Sequence, residues 1–339
     1  MSLVINDLFP AILSLFPNEK LNFYRTEKRG KLYTKYCYLK KSFKNRLFII
    51  PVPEENTKAD KITRDDHAEE IIQHLKYDNL TAEEFESCWQ ASANYRIHQI
   101  KEKFNSIQQV FVDWPEYKKP NGYRLIDLDF GTIFPNHDNF LVDWKQKVLK
   151  LFLHLKRSEC LKDGATKIII SSMSEGDLEK DETSFAFKTF WCLHGYLYPT
   201  GHVMKKDNTG KRCTIRFTIK DSQESYAFVG QSLQNLDDYI DFLSQRKENI
   251  QPFILSVGDN NYSKFTEFFL YLDGTKIPFQ SFLRCMDICF KSFYLFNVEY
   301  PKASTTFWTF IEAYFYKLAL PQGKKTLKIN ILMQELEDF

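Results

Sequence analysis

The chain has 339 residues, which is enough for one large domain or two smaller ones. Its 46 Lys and Arg residues nearly balance its 44 Asp and Glu residues, so a globally basic or acidic protein is excluded and any charged surface must come from local clusters. Aromatic residues make up 16% of the chain, which provides enough apolar side chain for a core and argues against extended disorder.

The cysteines and the N-terminus indicate an intracellular protein, cytoplasmic or nuclear. The seven cysteines are odd in number and show no spacing typical of a disulfide framework, so reduced thiols are expected. The N-terminal segment is apolar, but it lacks a basic region and is interrupted by Pro10, which disfavours a signal peptide. No run of 18 apolar residues occurs, so we expect no membrane partner.

Residues 1–106 are predicted to form an N-terminal α+β unit. A short helix is expected within residues 1–17, and basic strands are expected within residues 21–51. Two helices follow, at 64–76 and 81–104. Thr81 and Glu84 have the spacing of a capping box, in which each side chain accepts a hydrogen bond from the other residue's backbone amide.

Residues 107–339 are predicted to form a larger α+β core domain. Alternating or continuous apolar runs favour strands, whereas apolar residues at helical spacing favour helices. The acidic segment 175–182 is expected to be an exposed loop. The predicted strands are 108–113, 123–130, 167–173, a β-meander within 189–229, 253–257 and 265–272. The predicted helices are 140–157, 232–247, 279–296 and 306–318. The resulting fold class is α+β, with antiparallel sheet segments packed against helices.

Basic residues interleaved with aromatic residues are the strongest functional signal. Residues 25–46 contain nine Lys or Arg residues and one acidic residue, and residues 205–220 form a second basic segment. Cations neutralise phosphates, and exposed rings stack on unpaired bases, so this pattern predicts contact with single-stranded nucleic acid or RNA. The candidate binding residues are Arg29, Lys31, Lys35, Tyr36, Tyr38, Lys40, Lys41, Lys211, Arg212 and Arg216. Lysines that protect exposed strand edges would produce the same pattern.

Three aspartates form an alternative candidate site. Asp127 and Asp129 are two residues apart in a predicted strand and would share a face, while Asp113 lies near the end of the preceding predicted strand. Converging carboxylates can bind a divalent metal and support nucleotide or nucleic-acid chemistry. The competing interpretation is that the aspartates face water while Ile126, Leu128 and Phe130 face the core.

Other catalytic and metal motifs are weak. Cys192, His194, Cys285 and Cys289 could supply zinc ligands, but no Cys-x-x-Cys turn is present, and core thiols are the simpler interpretation. Phosphate-binding glycine loops and nucleophile motifs are absent from the sequence. We therefore expect a non-enzymatic binding protein without a cofactor, with a divalent metal as the alternative.

A protein partner or a homo-oligomer is the remaining hypothesis. The predicted helix at 306–318 carries aromatic residues around nearly its whole circumference. A helix that is apolar on every side is buried, either in its own core or against a partner.

Overall fold

The structure is a computed structural model that describes residues 66–137, 140–157, 159, 161, 163–206, 212–245, 250–319 and 326–338. All of these residues lie within one compact unit, Thr57–Phe339. They form helices packed around small sheets, which confirms the predicted α+β class. The predicted helix and strands before residue 52 lie outside the described residues, and the division at residue 106 stays a prediction.

Three helices begin the described part of the chain. The predicted helix at 81–104 is divided into two at Ser92. The backbone amide of Glu84 donates to Thr81 Oγ1 at 3.3 Å, and the amide of Thr81 donates to Glu84 Oε2 at 2.9 Å, so the capping box is confirmed. The three helices are α1 (Asp66–Tyr77), α2 (Ala82–Ala91) and α3 (Ala93–Glu102).

The strands predicted at 108–113 and 123–130 are wrong, because both segments are helical. Ile126, Asp129 and Phe130 are buried at a spacing of three and four residues, which is one face of a helix. A strand with alternating apolar residues would have left Asp129 facing water. The elements here are α4 (Ile107–Asp113), a 3-10 turn (Pro115–Lys118), α5 (Gly122–Ile133) and α6 (Trp144–Arg157), the last of which was predicted as a helix.

The strand predicted at 167–173 and the beginning of the predicted β-meander are also helical. The acidic segment contains the short helix Asp177–Lys180 and is therefore not entirely a loop. At its end, Asp181 Oδ1 accepts a hydrogen bond from the amide of Ser184 at 2.9 Å and caps the next helix. That helix is buried on nearly every side, and periodicity alone cannot distinguish such a segment from a buried strand. The elements are α7 (Gly164–Ser172), α8 (Asp177–Lys180) and α9 (Glu182–Tyr196).

A two-stranded antiparallel hairpin and a helix follow α9. The hairpin confirms a strand in the second basic segment. The end of that segment begins a helix instead. Thr218 caps this helix, since its Oγ1 accepts a hydrogen bond from the amide of Asp221 at 3.0 Å. The elements are β1 (His202–Lys206), β2 (Arg212–Arg216), α10 (Ile219–Tyr226), β3 (Ala227–Gly230) and α11 (Leu233–Gln245).

A four-stranded sheet is built from β3, β4 (Phe253–Gly258), β5 (Phe265–Leu272) and β6 (Thr275–Phe279), in that order. β3 is parallel to β4, with α11 as the crossover, and the other two pairs are antiparallel. Asp273 and Gly274 connect β5 to β6 with positive φ angles of 41° and 88°, as a tight hairpin turn requires.

The core is centred on α12 (Phe282–Leu295), which packs against α5, α9 and β5. Nearly all of its side chains are buried, and the Phe290 ring stacks on Tyr316 with centroids 3.9 Å apart. The aromatic segment near residue 306 forms α13 (Thr305–Tyr314), which is buried among these rings. A last helix, α14 (Leu327–Glu337), ends the described chain.

None of the helices formed by the described residues combines the length and the apolar character needed to cross a bilayer.

Candidate nucleic-acid interface

The β1–β2 hairpin contains two of the predicted binding residues. His202 lies opposite Arg216 in the register, and Lys206 lies opposite Arg212. Neither strand contains an acidic residue. The register therefore pairs two cationic residues, Lys206 and Arg212, and like charges directly opposite each other weaken a strand pair.

One face of the hairpin is polar and basic. Because side chains alternate along a strand, Arg212, Thr214 and Arg216 project from the same face, and all three are exposed. The register places Met204 on this face, where the Thr214 hydroxyl donates to its sulfur at 3.1 Å. The two arginines are roughly 13 Å apart along the strand, so each can contact a different anionic group.

The sequence pattern identified the arginines but missed their cross-strand neighbours. His202 and Met204 lie before the second basic segment, and only strand pairing brings them beside Arg216 and Thr214. The signal that could have identified them is the turn-like Asn208-Thr-Gly210 between two short runs of strand-forming residues.

The other candidate nucleic-acid residues are outside the part of the chain that the structure describes. They are Arg29, Lys31, Lys35, Tyr36, Tyr38, Lys40, Lys41 and Lys211.

Asp129, one of the three candidate metal ligands, is fully buried in an ion pair. Its carboxylate accepts from Arg96 Nη2 at 2.5 Å and from Arg96 Nε at 3.2 Å, and it also accepts from the Tyr117 hydroxyl. Burial raises the pKa of Asp129 above its ordinary value, although the Arg96 guanidinium opposes that increase. The carboxylate of Asp129 is thus paired with Arg96 and Tyr117 inside the core.

Asp127 belongs to a second ionic network. It accepts from Arg284 Nη2 at 2.7 Å and from the Lys291 ammonium group. Both cations also contact Asp287, which is buried and accepts from the Tyr316 hydroxyl at 2.6 Å. Burial acts to raise the pKa of Asp127, but Lys291 and Arg284 outweigh it and hold the pKa below its ordinary value.

Asp113 is separate from both networks and pairs with Lys103, with 3.0 Å between Nζ and Oδ2. The predicted shared face of Asp127 and Asp129 does not occur, because residues two apart on a helix point in different directions. Within the described ranges, no group of three or more His, Cys, Asp or Glu side chains is placed to hold a metal ion. The structure therefore gives no support to a metal site at these three aspartates.

The candidate zinc ligands are core residues. Cys192 and His194 lie on α9 rather than in the predicted β-meander, and residues two apart on a helix point in different directions. Burial raises the pKa of Cys192 to about 12 and lowers that of His194 to about 3. Burial likewise raises the pKa values of Cys285 and Cys289 well above the ordinary value. The thiols stay protonated and pack as small apolar groups.

His194 has a defined structural role instead. Its Nδ1 is 2.8 Å from the Ser222 hydroxyl, and its ring stacks on Phe307 with centroids 4.2 Å apart. The neutral ring thus connects α9, α10 and α13. Cys88, Cys192, Cys285 and Cys289 are free thiols.

Comparison with known proteins adds one match. A family model described as a domain of unknown function (DUF4769) matches residues 6–44, which overlap much of the basic and aromatic segment 25–46 and lie outside the described residues. No curated protein and no solved structure matches the chain.

Proposed function

We propose that this protein is a non-enzymatic intracellular binding protein that contacts nucleic acid, or a nucleoprotein partner, through its basic strands. The observation that carries the proposal is the β1–β2 hairpin, where Arg212 and Arg216 are exposed on one face and Lys206 lies opposite Arg212 in the register. Neither strand contains an acidic residue. Phosphate groups bound along the ribbon would neutralise these charges and release counterions.

Isolated two-stranded hairpins are marginally stable in water, and like charges across the strands weaken them further. An anionic ligand therefore stabilises the hairpin in its bound form. The arginines suit phosphate because the guanidinium group donates two parallel hydrogen bonds to paired oxygens. The segment 25–46 is a second candidate contact for phosphate because of its basic and aromatic composition.

A protein component in the ligand is favoured by exposed apolar side chains on the same hairpin. Met204 is 58% exposed on the arginine face, and Ile215 is 45% exposed on the other face. Exposed apolar groups beside cations are typical of interfaces with a buried centre and a charged rim. This arrangement suits a nucleoprotein, in which phosphate and apolar groups are both available.

The proposal is tested by fluorescence anisotropy with the full chain and a labelled 20-nucleotide single-stranded RNA at low salt, where roughly micromolar binding is expected for a non-specific contact. The test variant is Arg212→Gln with Arg216→Gln. The matched control is Arg124→Gln with Lys167→Gln, which removes two exposed cations from α5 and α7.

We expect the hairpin variant to bind at least ten-fold more weakly than wild type and the control to bind like wild type. A four-residue variant, with Lys31, Lys35, Lys40 and Lys41 replaced by Gln, tests the second basic segment. Absence of wild-type binding, or equal losses in the hairpin variant and the control, would rule out a nucleic-acid contact at the hairpin.

A further inference from the structure

A cleft of about 800 Å³ lies beside the hairpin, and its lining has a different chemistry from the hairpin face. The described lining includes aromatic rings and carboxylates, together with His202, Val203 and Met204 of β1 and several aliphatic side chains. The rings are Phe217, Tyr239, Phe253 and Tyr300, and the carboxylates are Asp221, Glu224 and Glu299. Among the lining residues that the structure describes, Lys302 is the only Lys or Arg. A volume in this range is typical of sites for small ligands.

One side of the cleft is a face of α10. Asp221, Glu224 and Ser225 lie at positions i, i+3 and i+4, so they project together. The capping box fixes the start of this helix, since Asp221 Oδ2 accepts from the Thr218 amide at 2.7 Å. Glu224 has one weak ion pair, with Lys220, at 3.5 Å.

The opposite side is the segment 299–303, which is held in place by its own contacts. The Tyr300 hydroxyl donates to Glu312 Oε2 at 2.9 Å, and Ser225 Oγ donates to Ser304 Oγ at 2.8 Å across the base of the cleft. At Gly201, a Cβ atom would come within 3.2 Å of the Lys302 carbonyl oxygen, so the strand leading into β1 lies close to this segment. The cleft is therefore a formed feature of the fold.

The charges in the cleft favour a cationic ligand. Among the described lining residues, the three carboxylates outnumber the one ammonium group, that of Lys302. Glu299 is exposed and makes no ion pair with a described residue, so its charge is available. Aromatic rings add a second attraction, because an ammonium or guanidinium group is stabilised near the face of a ring.

We propose that this cleft binds an organic cation with a primary ammonium group, with the carboxylates pairing with its charge and the rings packing against its aliphatic chain. Such a group occurs on free polyamines and on lysine side chains of peptides. This site shares His202 and Met204 with the hairpin, but its ligand has the opposite charge, and the carboxylates that would bind it lie outside β1 and β2.

The test is isothermal titration calorimetry of the full chain with three probes. Spermidine represents a free polyamine, a capped Gly-Lys-Gly tripeptide represents a lysine side chain, and the same tripeptide with acetylated lysine lacks the charge. The test variant is Glu224→Gln with Glu299→Gln. Its matched control is Glu83→Gln with Glu86→Gln, which removes two exposed carboxylates from α2.

We expect one-to-one binding of spermidine or of the lysine tripeptide, and the probe that binds identifies the source of the ammonium group. The acetylated tripeptide should not bind. Affinity should fall at least ten-fold in the test variant and stay unchanged in the control, with far-UV circular dichroism confirming that both variants fold. The proposal is overturned if neither cation binds, if the acetylated probe binds equally well, or if the control loses as much affinity as the test variant.

Discussion

Arg96 and Asp129 form a two-point ion pair that is fully buried between α3 and α5. The guanidinium group also donates to the Trp89 carbonyl at 3.0 Å and to Ser92 Oγ at 2.9 Å, and it lies 3.7 Å from the Trp89 ring centroid. Each polar atom of the pair is thus matched, as a buried charge requires.

Asp129→Ala is expected to lower the free energy of unfolding by about 3–5 kcal/mol, because it leaves the Arg96 charge buried without its partner. The double replacement Arg96→Met with Asp129→Leu should recover most of that loss, since it removes both charges. Urea unfolding followed by circular dichroism measures both values. If the double variant is as unstable as Asp129→Ala, the stability depends on the shape of the site rather than on its charge.

Two glycines of α5 make a matched pair of substitutions. At Gly122, a Cβ atom would lie 2.2 Å from the Tyr117 carbonyl oxygen, so Gly122→Ala should destabilise the protein by several kcal/mol or prevent folding. At Gly131, nothing lies within 4 Å of such an atom, so Gly131→Ala should stabilise the helix by about 0.5–1 kcal/mol. Thermal unfolding of the two variants checks the opposite signs, and equal effects would contradict the described packing of α5.

His194 should make stability depend on pH. Its pKa is lowered by burial to about 3 in the folded chain, against about 6.5 when unfolded, so the unfolded state binds more protons between these values. Stability is therefore fully present above pH 6.5 and is lost as the pH falls toward 3, by at most about 1.4 kcal/mol per pH unit.

The double variant His194→Phe with Ser222→Ala keeps a ring against Phe307 and removes the titrating group together with its hydrogen-bond partner. Its free energy of unfolding should fall less steeply than that of wild type between pH 6.5 and pH 4. Parallel curves for the two proteins would show that His194 does not control this dependence.

Manganese should leave the thermal unfolding midpoint unchanged, because Asp127 and Asp129 are already paired with cations of the protein. A ligand that binds only the folded state raises the midpoint. A midpoint that rises with manganese in wild type, but not in Asp127→Asn, would instead restore the hypothesis of a metal site at the aspartates.

Salt dependence should distinguish phosphate contact from other binding at the hairpin. For a single strand, each neutralised phosphate contributes about 0.7 to the slope of log affinity against log salt. Arg212→Gln with Arg216→Gln should therefore reduce the slope by about 1.4. A weaker affinity with an unchanged slope would mean that the arginines act without contacting phosphate.

Local sequence signals predicted the elements that are stabilised by residues close to one another along the chain. The capping residues Thr81 and Glu84 marked a helix start, and the turn-forming residues Asp273-Gly274 follow the predicted strand 265–272. The strand Thr275–Phe279 after that turn was not predicted. The helix Trp144–Arg157 has apolar side chains on one face, so its period was visible. The same local rules predicted a strand at 212–220, of which Arg212–Arg216 forms one.

The sequence by itself determined the α+β class, the amphipathic helices, and the basic composition of the second strand of the hairpin. Only the tertiary structure decided the conformations of Gly122–Ile133 and Glu182–Tyr196. Glu182–Tyr196 is buried on most sides and so loses the periodic contrast that separates a helix from a strand. In Gly122–Ile133, the apolar residues alternate as in a strand, and the helical face becomes visible only because Asp129 is buried. It also decided the environment of the aspartates. Asp129 is buried because Arg96, 33 residues away, supplies a matching charge, and no local pattern encodes a partner at that distance.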